Sequence, residues 1–138
     1  MAEENGIPIG KIFEAREAVH VTAEMIVAFC EAIGLESITR ESDGVLVAPY
    51  SISGSFRAAE DIFDHLPKNE RRLLASMELE FIEPIVAGDT IRISSEVAEV
   101  YEKTGRSGAL AFTVIRSLLK NQRGEIVTRL NHRFTSRK

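Results

Sequence analysis

Along this chain the apolar positions keep a helical period in the first half and a strand period in the second, with the change near Leu73. Ile26, Phe29, Cys30 and Ile33 recur three and four residues apart, which predicts a helix over roughly residues 22–33. Thr22 is placed to cap it, Val21 and Ile26 to close a hydrophobic staple over the cap, and Gly34 to stop it. A second, longer helix is predicted from Ser53 or Ser55 through "FRAAEDIFDHL", with Phe56, Ala59, Ile62, Phe63 and Leu66 on one stripe and Pro67 and Asn69 at its end. From Leu73 onward the period changes to two. In "MELEFIEP", Met77, Leu79 and Phe81 share one face and Glu78 and Glu80 the other, and "AGD" then turns the chain. Three long strands follow, "TIRISSEVAEVYEK", "GALAFTVIRSLLK" and "EIVTRLNHRFTS", joined by "TGRSG" and "NQRG". The middle one is apolar on both faces at Leu110, Phe112 and Val114, as a central strand over a helix should be. The pattern predicts an α+β arrangement in which a long antiparallel sheet wraps around one helix.

Length and charge narrow the function classes. The 138 residues, with no repeat or Pro/Gly-rich linker, are expected to form one domain over 1–138 that buries a sizeable core. No apolar run approaches the roughly 20 residues of a membrane span, and the acidic start "MAEENGIPIG" has no apolar signal segment, so the expected address is cytoplasmic with no membrane partner. Cys30 is the only cysteine, which excludes an internal disulfide and a cysteine-based zinc cluster; no metal is expected. A net charge of -4 argues against nucleic acid as a partner. The charge is unevenly spread: residues 1–102 carry 8 Lys/Arg against 20 Asp/Glu, and residues 103–138 carry 9 against 1. Such asymmetry marks either a site for an anionic ligand or basic strands that face acidic ones.

The run "ELEFIEPIVAGDTIRISSEVAEVYEKTGRSGALAFTVIRSLLKNQRGEIV" combines an apolar strand, a Pro, a Gly-Asp turn at Gly88 and Asp89, a hairpin at Lys103, Gly105 and Gly108, and a turn at Asn121, Gly124 and Glu125. In order and spacing it resembles the MaoC-like dehydratases, closest to the FAS1-like dehydratase or MaoC N-terminal group, and the resemblance covers nearly the whole chain. It implies a hotdog fold, that is, a long antiparallel sheet wrapped around a central helix. It also implies activity on (R)-3-hydroxyacyl or trans-2-enoyl thioesters of coenzyme A or acyl carrier protein, with no other cofactor. In the family a loop reading Asp-x-Asn-Pro-x-His follows the first helix, and its Asp and His activate one water by general acid/base catalysis without a metal.

Laid on this chain, that loop reads Leu35-Glu36-Ser37-Ile38-Thr39-Arg40. Leu35 stands in the Asp position, Ser37 in the Asn position, Ile38 in the Pro position and Arg40 in the His position. Leucine accepts no proton and arginine stays protonated, so the dyad is absent and no catalytic residue is assigned. The family's N–H donor to the thioester oxygen falls at Pro49 or a neighbour, where proline has none to give and Tyr50 does. The resemblance thus makes Leu35, Arg40, Pro49, Tyr50 and Ser51 the expected substrate-binding residues. Glu36, Glu41 and Asp43 form the alternative acid/base set, against the plainer reading of a solvated loop.

Other candidates have ordinary explanations beside them. Glu60, Asp61 and Asp64 fall where hotdog thioesterases place a carboxylate, and Glu60 and Asp64 share a face if the second helix forms. His20, His65 and His132 make no constellation and read as structural, with His132 in phase with Leu130 and Phe134. Cys30 reads as a small buried residue. Arg106, Arg116 and Arg129, with Lys103 and Arg133, are the candidates for coenzyme A phosphates or an acidic carrier surface. The function expected from the resemblance is the non-catalytic half of an (R)-specific enoyl-thioester hydratase, as a homodimer or paired with a second MaoC-like chain. The alternatives are an acyl-CoA-binding homodimer and a hotdog thioesterase.

Overall fold

The computed structural model describes residues 2–4, 6–68 and 71–137. In chain order the elements are β1 (Ala2–Glu4), β2 (Ile7–Ile9), β3 (Phe13–Glu14), β4 (Val19–His20), α1 (Ala23–Ile33), β5 (Ile38–Thr39) and β6 (Leu46–Val47). Two 3-10 turns, Tyr50–Ser55 and Glu60–His65, come next, and then β7 (Leu73–Phe81), β8 (Thr90–Gly105), β9 (Gly108–Lys120) and β10 (Ile126–Arg137). The long strands fall where the alternation predicts them. They build a six-stranded antiparallel sheet in the order β3-β8-β9-β10-β7, with β4 also on β8. β9 is flanked by β8 and β10 along nearly its whole length, which is why Val114 as well as Ile115 is buried there.

α1 forms as its sequence signals direct. Thr22 Oγ1 accepts the Met25 N–H at 3.1 Å, and Gly34 takes the left-handed conformation at φ 75° that ends the helix. Val21, Ile26 and Cys30 are buried together, whereas Ile33 is 44% exposed because the helix covers the sheet only with its first two turns.

The long second helix does not form, and the expected hotdog description is corrected on two points. Ser53, Gly54 and Ser55 are weak helix formers, and the Ser55 hydroxyl donates to the Ile52 carbonyl at 2.6 Å, which favours a tight turn over propagation. Phe56 (φ -82°, ψ 142°) and Ala59 (φ -55°, ψ 125°) are extended, so 53–66 becomes two 3-10 turns around an extended link. α1 is therefore the only α-helix among the described residues, and no long central helix exists there. The sheet is also open: its end strands β3 and β7 do not pair with each other, so it does not wrap around a helix. The α+β composition stands. Asn69, expected at the end of the second helix, lies outside the described residues.

The apolar stripe of the missing helix is still buried. Ala58, Ala59, Ile62 and Leu66 pack with Phe13, Val97 and Ile115 in one cluster, and Val21, Ile26, Ile52, Ile91, Leu119 and Leu130 pack in another under α1. Asp89, 1% exposed, holds the turn before β8: its carboxylate accepts the Val86 N–H and the Gln122 side-chain N–H, each at 3.0 Å. Gly88, at φ 95°, is the residue type that this turn requires. No helix of the described residues is long and apolar enough to cross a membrane.

Candidate functional site

The chain leaving α1 is closed back on the helix by Leu35 N–H to Cys30 carbonyl, 2.9 Å. It then forms the β5–β6 hairpin, in which Ile38 pairs with Val47 and Thr39 with Leu46. A bridge from Val47 to Val86, and the Ala48 N–H donated to the Ile85 carbonyl at 2.8 Å, dock this hairpin before Pro49 starts the first 3-10 turn. The result is an open cavity of about 480 Å3 whose walls include Leu35, Ile38, Val47, Pro49, Tyr50 and Ser51. Four of the five expected substrate-binding residues thus line one space. Among the described residues Glu36 is the only carboxylate on its walls.

The mouth is apolar. Leu35, Ile38 and Tyr50 are 54%, 68% and 63% exposed, and the Tyr50 ring stacks on Phe81 of β7 at 4.9 Å between centroids. Contiguous exposed apolar groups of this kind mark a surface that binds something. Arg40 is not on the cavity wall. Its guanidinium binds the Asp43 carboxylate within the turn between β5 and β6, and Asp43 also accepts the Val45 N–H at 3.1 Å. The Arg40 hydrogen bond, with Val45 second, holds the Asp43 carboxyl below its usual range. A carboxylate whose oxygens are already bonded and whose proton affinity is lowered is a poor candidate for taking and returning a proton. Glu41 is exposed.

The remaining candidates are dispersed. Arg116 pairs with Glu96 at 3.8 Å and Arg129 with Glu80 at 3.3 Å, on the sheet face opposite the core. Arg106 sits in the β8–β9 turn, about 27 Å along β9 from Arg116 at about 3.4 Å per residue. Lys103 lies over the Tyr101 and Phe112 rings. Glu60 and Asp61 both bind Arg16, Glu60 through the Arg16 backbone N–H at 2.5 Å. His20 meets Thr90 Oγ1 at 3.1 Å, and His65 packs against Phe13. Cys30 is buried, 2% exposed.

His132 is where the structure adds something that the sequence pattern did not. It is buried in phase with Leu130 and Phe134, yet its Nδ1 has no hydrogen-bond partner among the described residues, and burial alone pushes its pKa down. The residue borders a second, half-open cavity of about 380 Å3 with Ser55, Phe56, Arg57 and Phe63. The available signal was a polar residue in an apolar strand phase.

Sequence and fold together give the class, a MaoC-like dehydratase domain. The chain belongs to the family described as the FAS1-like dehydratase domain region, whose model matches residues 8–130. Among curated proteins no sequence matches it significantly. Solved structures share its fold. One is the HadBC (3R-hydroxyacyl-ACP dehydratase) complex of Mycobacterium tuberculosis, 22% identical over 92% of this chain and 96% of that one, with a TM-score of 0.71. Another is the ChsH1-ChsH2 complex of Mycobacterium tuberculosis, 20% identical over 94% and 84%, TM-score 0.68. A third is the MaoC-like dehydratase of Rhodospirillum rubrum, 20% identical over 95% and 93%, TM-score 0.66.

Proposed function

We propose that this chain is the substrate-binding, dyad-lacking subunit of an (R)-specific enoyl-thioester hydratase or 3-hydroxyacyl-thioester dehydratase. The observation that carries the reading is the cavity of about 480 Å3 at the end of α1, apolar at its mouth, with Leu35 on its wall in the position of the family's catalytic Asp. An acyl chain is held there by burial of apolar surface, and nothing on the wall is paired with a histidine to activate water. Coenzyme A or acyl carrier protein is the expected carrier. Two of the solved structures that share the fold are described as complexes of two named chains, which supports a partner that brings the acid/base pair. The strand at the sheet end nearest the cavity, β7, carries exposed Leu73, Leu74 and Phe81 and offers an unpaired edge for such a partner. The thioesterase reading has less support, because Glu60 and Asp61 are bound to Arg16.

The test is hydration of a trans-2-enoyl-CoA by the purified chain, alone and after addition of a MaoC-like chain from the same genome that carries the Asp-x-Asn-Pro-x-His loop. The expected result is no turnover by this chain alone and a rate on mixing well above that of the partner alone. Turnover by this chain alone, or a partner unaffected by it, overturns the proposal.

A further inference from the structure

The cavity at the end of α1 has a direction. Leu35, Ile38 and Tyr50 stand exposed at its mouth, whereas Cys30 and Ala48, at 2% and 5% exposure, close its inner end. We propose that this cavity selects the acyl group by length: it takes chains well beyond four carbons, and the far end of the chain meets Cys30 and Ala48. The inference rests on the function proposed above and adds to it the class of acyl group.

The inner end is built from two short side chains on fixed backbone. Cys30 lies on the buried stripe of α1 with Ile26, and its carbonyl accepts the Leu35 N–H at 2.9 Å, which ties the mouth to the inner end. Ala48 leaves β6 with its N–H donated to the Ile85 carbonyl at 2.8 Å. Both belong to the core cluster that contains Ile26, Ile52 and Ile85. A core packed to the usual density has no room for added atoms, so a larger side chain at either position grows into the cavity. Cysteine and alanine leave that space open, where a leucine would close it.

Between mouth and inner end the wall is apolar. Ile38 and Val47 are paired across the β5–β6 hairpin and share a face, and Pro49 continues the wall. The polar side chains on it, Glu36 and Ser51, are both exposed, and none of the described wall residues is cationic. A thioester and its carrier therefore stay at the rim, because polar groups gain nothing from leaving water there, and only the hydrocarbon is drawn inward.

Volume gives the class of chain. The cavity measures about 480 Å3, which is on the order of sixteen groups the size of a water at about 30 Å3 each, and a methylene has similar bulk. Even with part of that space open to solvent, a four-carbon chain leaves most of it unfilled. Each further methylene that leaves water tightens binding by up to about fourfold until the inner end is reached.

The experiment is calorimetric titration of the full chain with butyryl-, octanoyl- and dodecanoyl-CoA, saturated probes that no hydratase turns over. Affinity should rise steeply from butyryl to octanoyl and further to dodecanoyl. Ala48→Leu should leave butyryl-CoA binding unchanged and weaken dodecanoyl-CoA by about tenfold or more, and Cys30→Leu should act in the same direction. The native chain gives a readout that needs no variant to fold: a dodecanoyl-CoA labelled with carbon-13 at its terminal methyl should show an NMR contact to the Ala48 methyl. Equal affinity for the three probes, equal weakening of the short and long ones by Ala48→Leu, or a terminal methyl that contacts Tyr50 and not Ala48 would overturn the length selection while leaving the acyl-binding function standing. Failure of all three probes to bind would overturn that function, and this inference with it.

Discussion

The Ser95 and Ser117 hydroxyls meet across β8 and β9 at 2.7 Å, fully buried, and Ser95 Oγ also accepts the Ala59 N–H at 2.9 Å. In a continuous helix that N–H would go to the carbonyl four residues back. Here the sheet takes it, and the link between the 3-10 turns is pinned in an extended form. Ser95→Ala is therefore expected to leave a buried N–H without an acceptor and to lower stability by about 1–3 kcal/mol in urea denaturation. Ser117→Ala, which leaves the Ala59 contact in place, should cost less.

Asp89 is expected to matter more than its place in a turn suggests. Its two carboxylate oxygens satisfy Val86 and Gln122, and its backbone carbonyl accepts the Val21 N–H at 2.8 Å, so one residue ties β4, the turn and the β9–β10 connection. Asp89→Ala should lower stability by roughly 2–4 kcal/mol, because bonds to a charged acceptor are lost inside the fold. Gln122→Ala, at an exposed position, should cost less. Chemical denaturation of the two variants checks the order.

The sheet was legible because strand alternation is a strong signal over long runs: the boundaries of β8, β9 and β10 fall within two residues of those read from the pattern. α1 was legible from its cap, its stripe and Gly34. The second helix misled because Phe56, Ala59, Ile62, Phe63 and Leu66 keep helical spacing while their backbone does not, and short apolar runs fix burial more firmly than they fix conformation. The counter-signal was present: Ser95 and Ser117 stand in the core phase of their strands, where an alternating pattern calls for apolar residues. At the candidate site the resemblance points to the loop after α1, and the structure separates Leu35, on the cavity wall, from Arg40, which is tied to Asp43 away from it.

His132 should give the fold a pH dependence between neutrality and mild acid. Burial lowers its folded pKa below the ordinary value of 6.5. Below 6.5 the unfolded chain binds more protons than the folded one, so this contribution is complete above that pH and is lost as pH falls through the folded value. The slope is at most about 1.4 kcal/mol per pH unit. Asp43 and Glu125, whose carboxyls are held below their ordinary values of 3.8 and 4.5, act with the same sign in a separate, more acid window. Denaturation midpoints for the native chain should fall between pH 7 and pH 5, and His132→Gln should flatten that interval while leaving the more acid loss in place.

Restoring the family's two residues on this chain should not restore the chemistry. Leu35→Asp would put a carboxylate on the cavity wall, but Arg40→His would leave its imidazole in the β5–β6 turn beside Asp43, out of reach of the same water. The double variant alone is expected to show no hydration of a trans-2-enoyl thioester, followed as loss of the conjugated absorbance. Binding should respond differently at the two positions. Leu35→Asp places a charge in an apolar mouth and should weaken acyl-CoA binding by about tenfold, or ~1.4 kcal/mol, while Arg40→His should change it little. Hydration by the double variant on its own would mean that residue 40 reaches the cavity when substrate is bound, and the assignment of this chain as the silent half of a shared site would then rest on two substitutions alone.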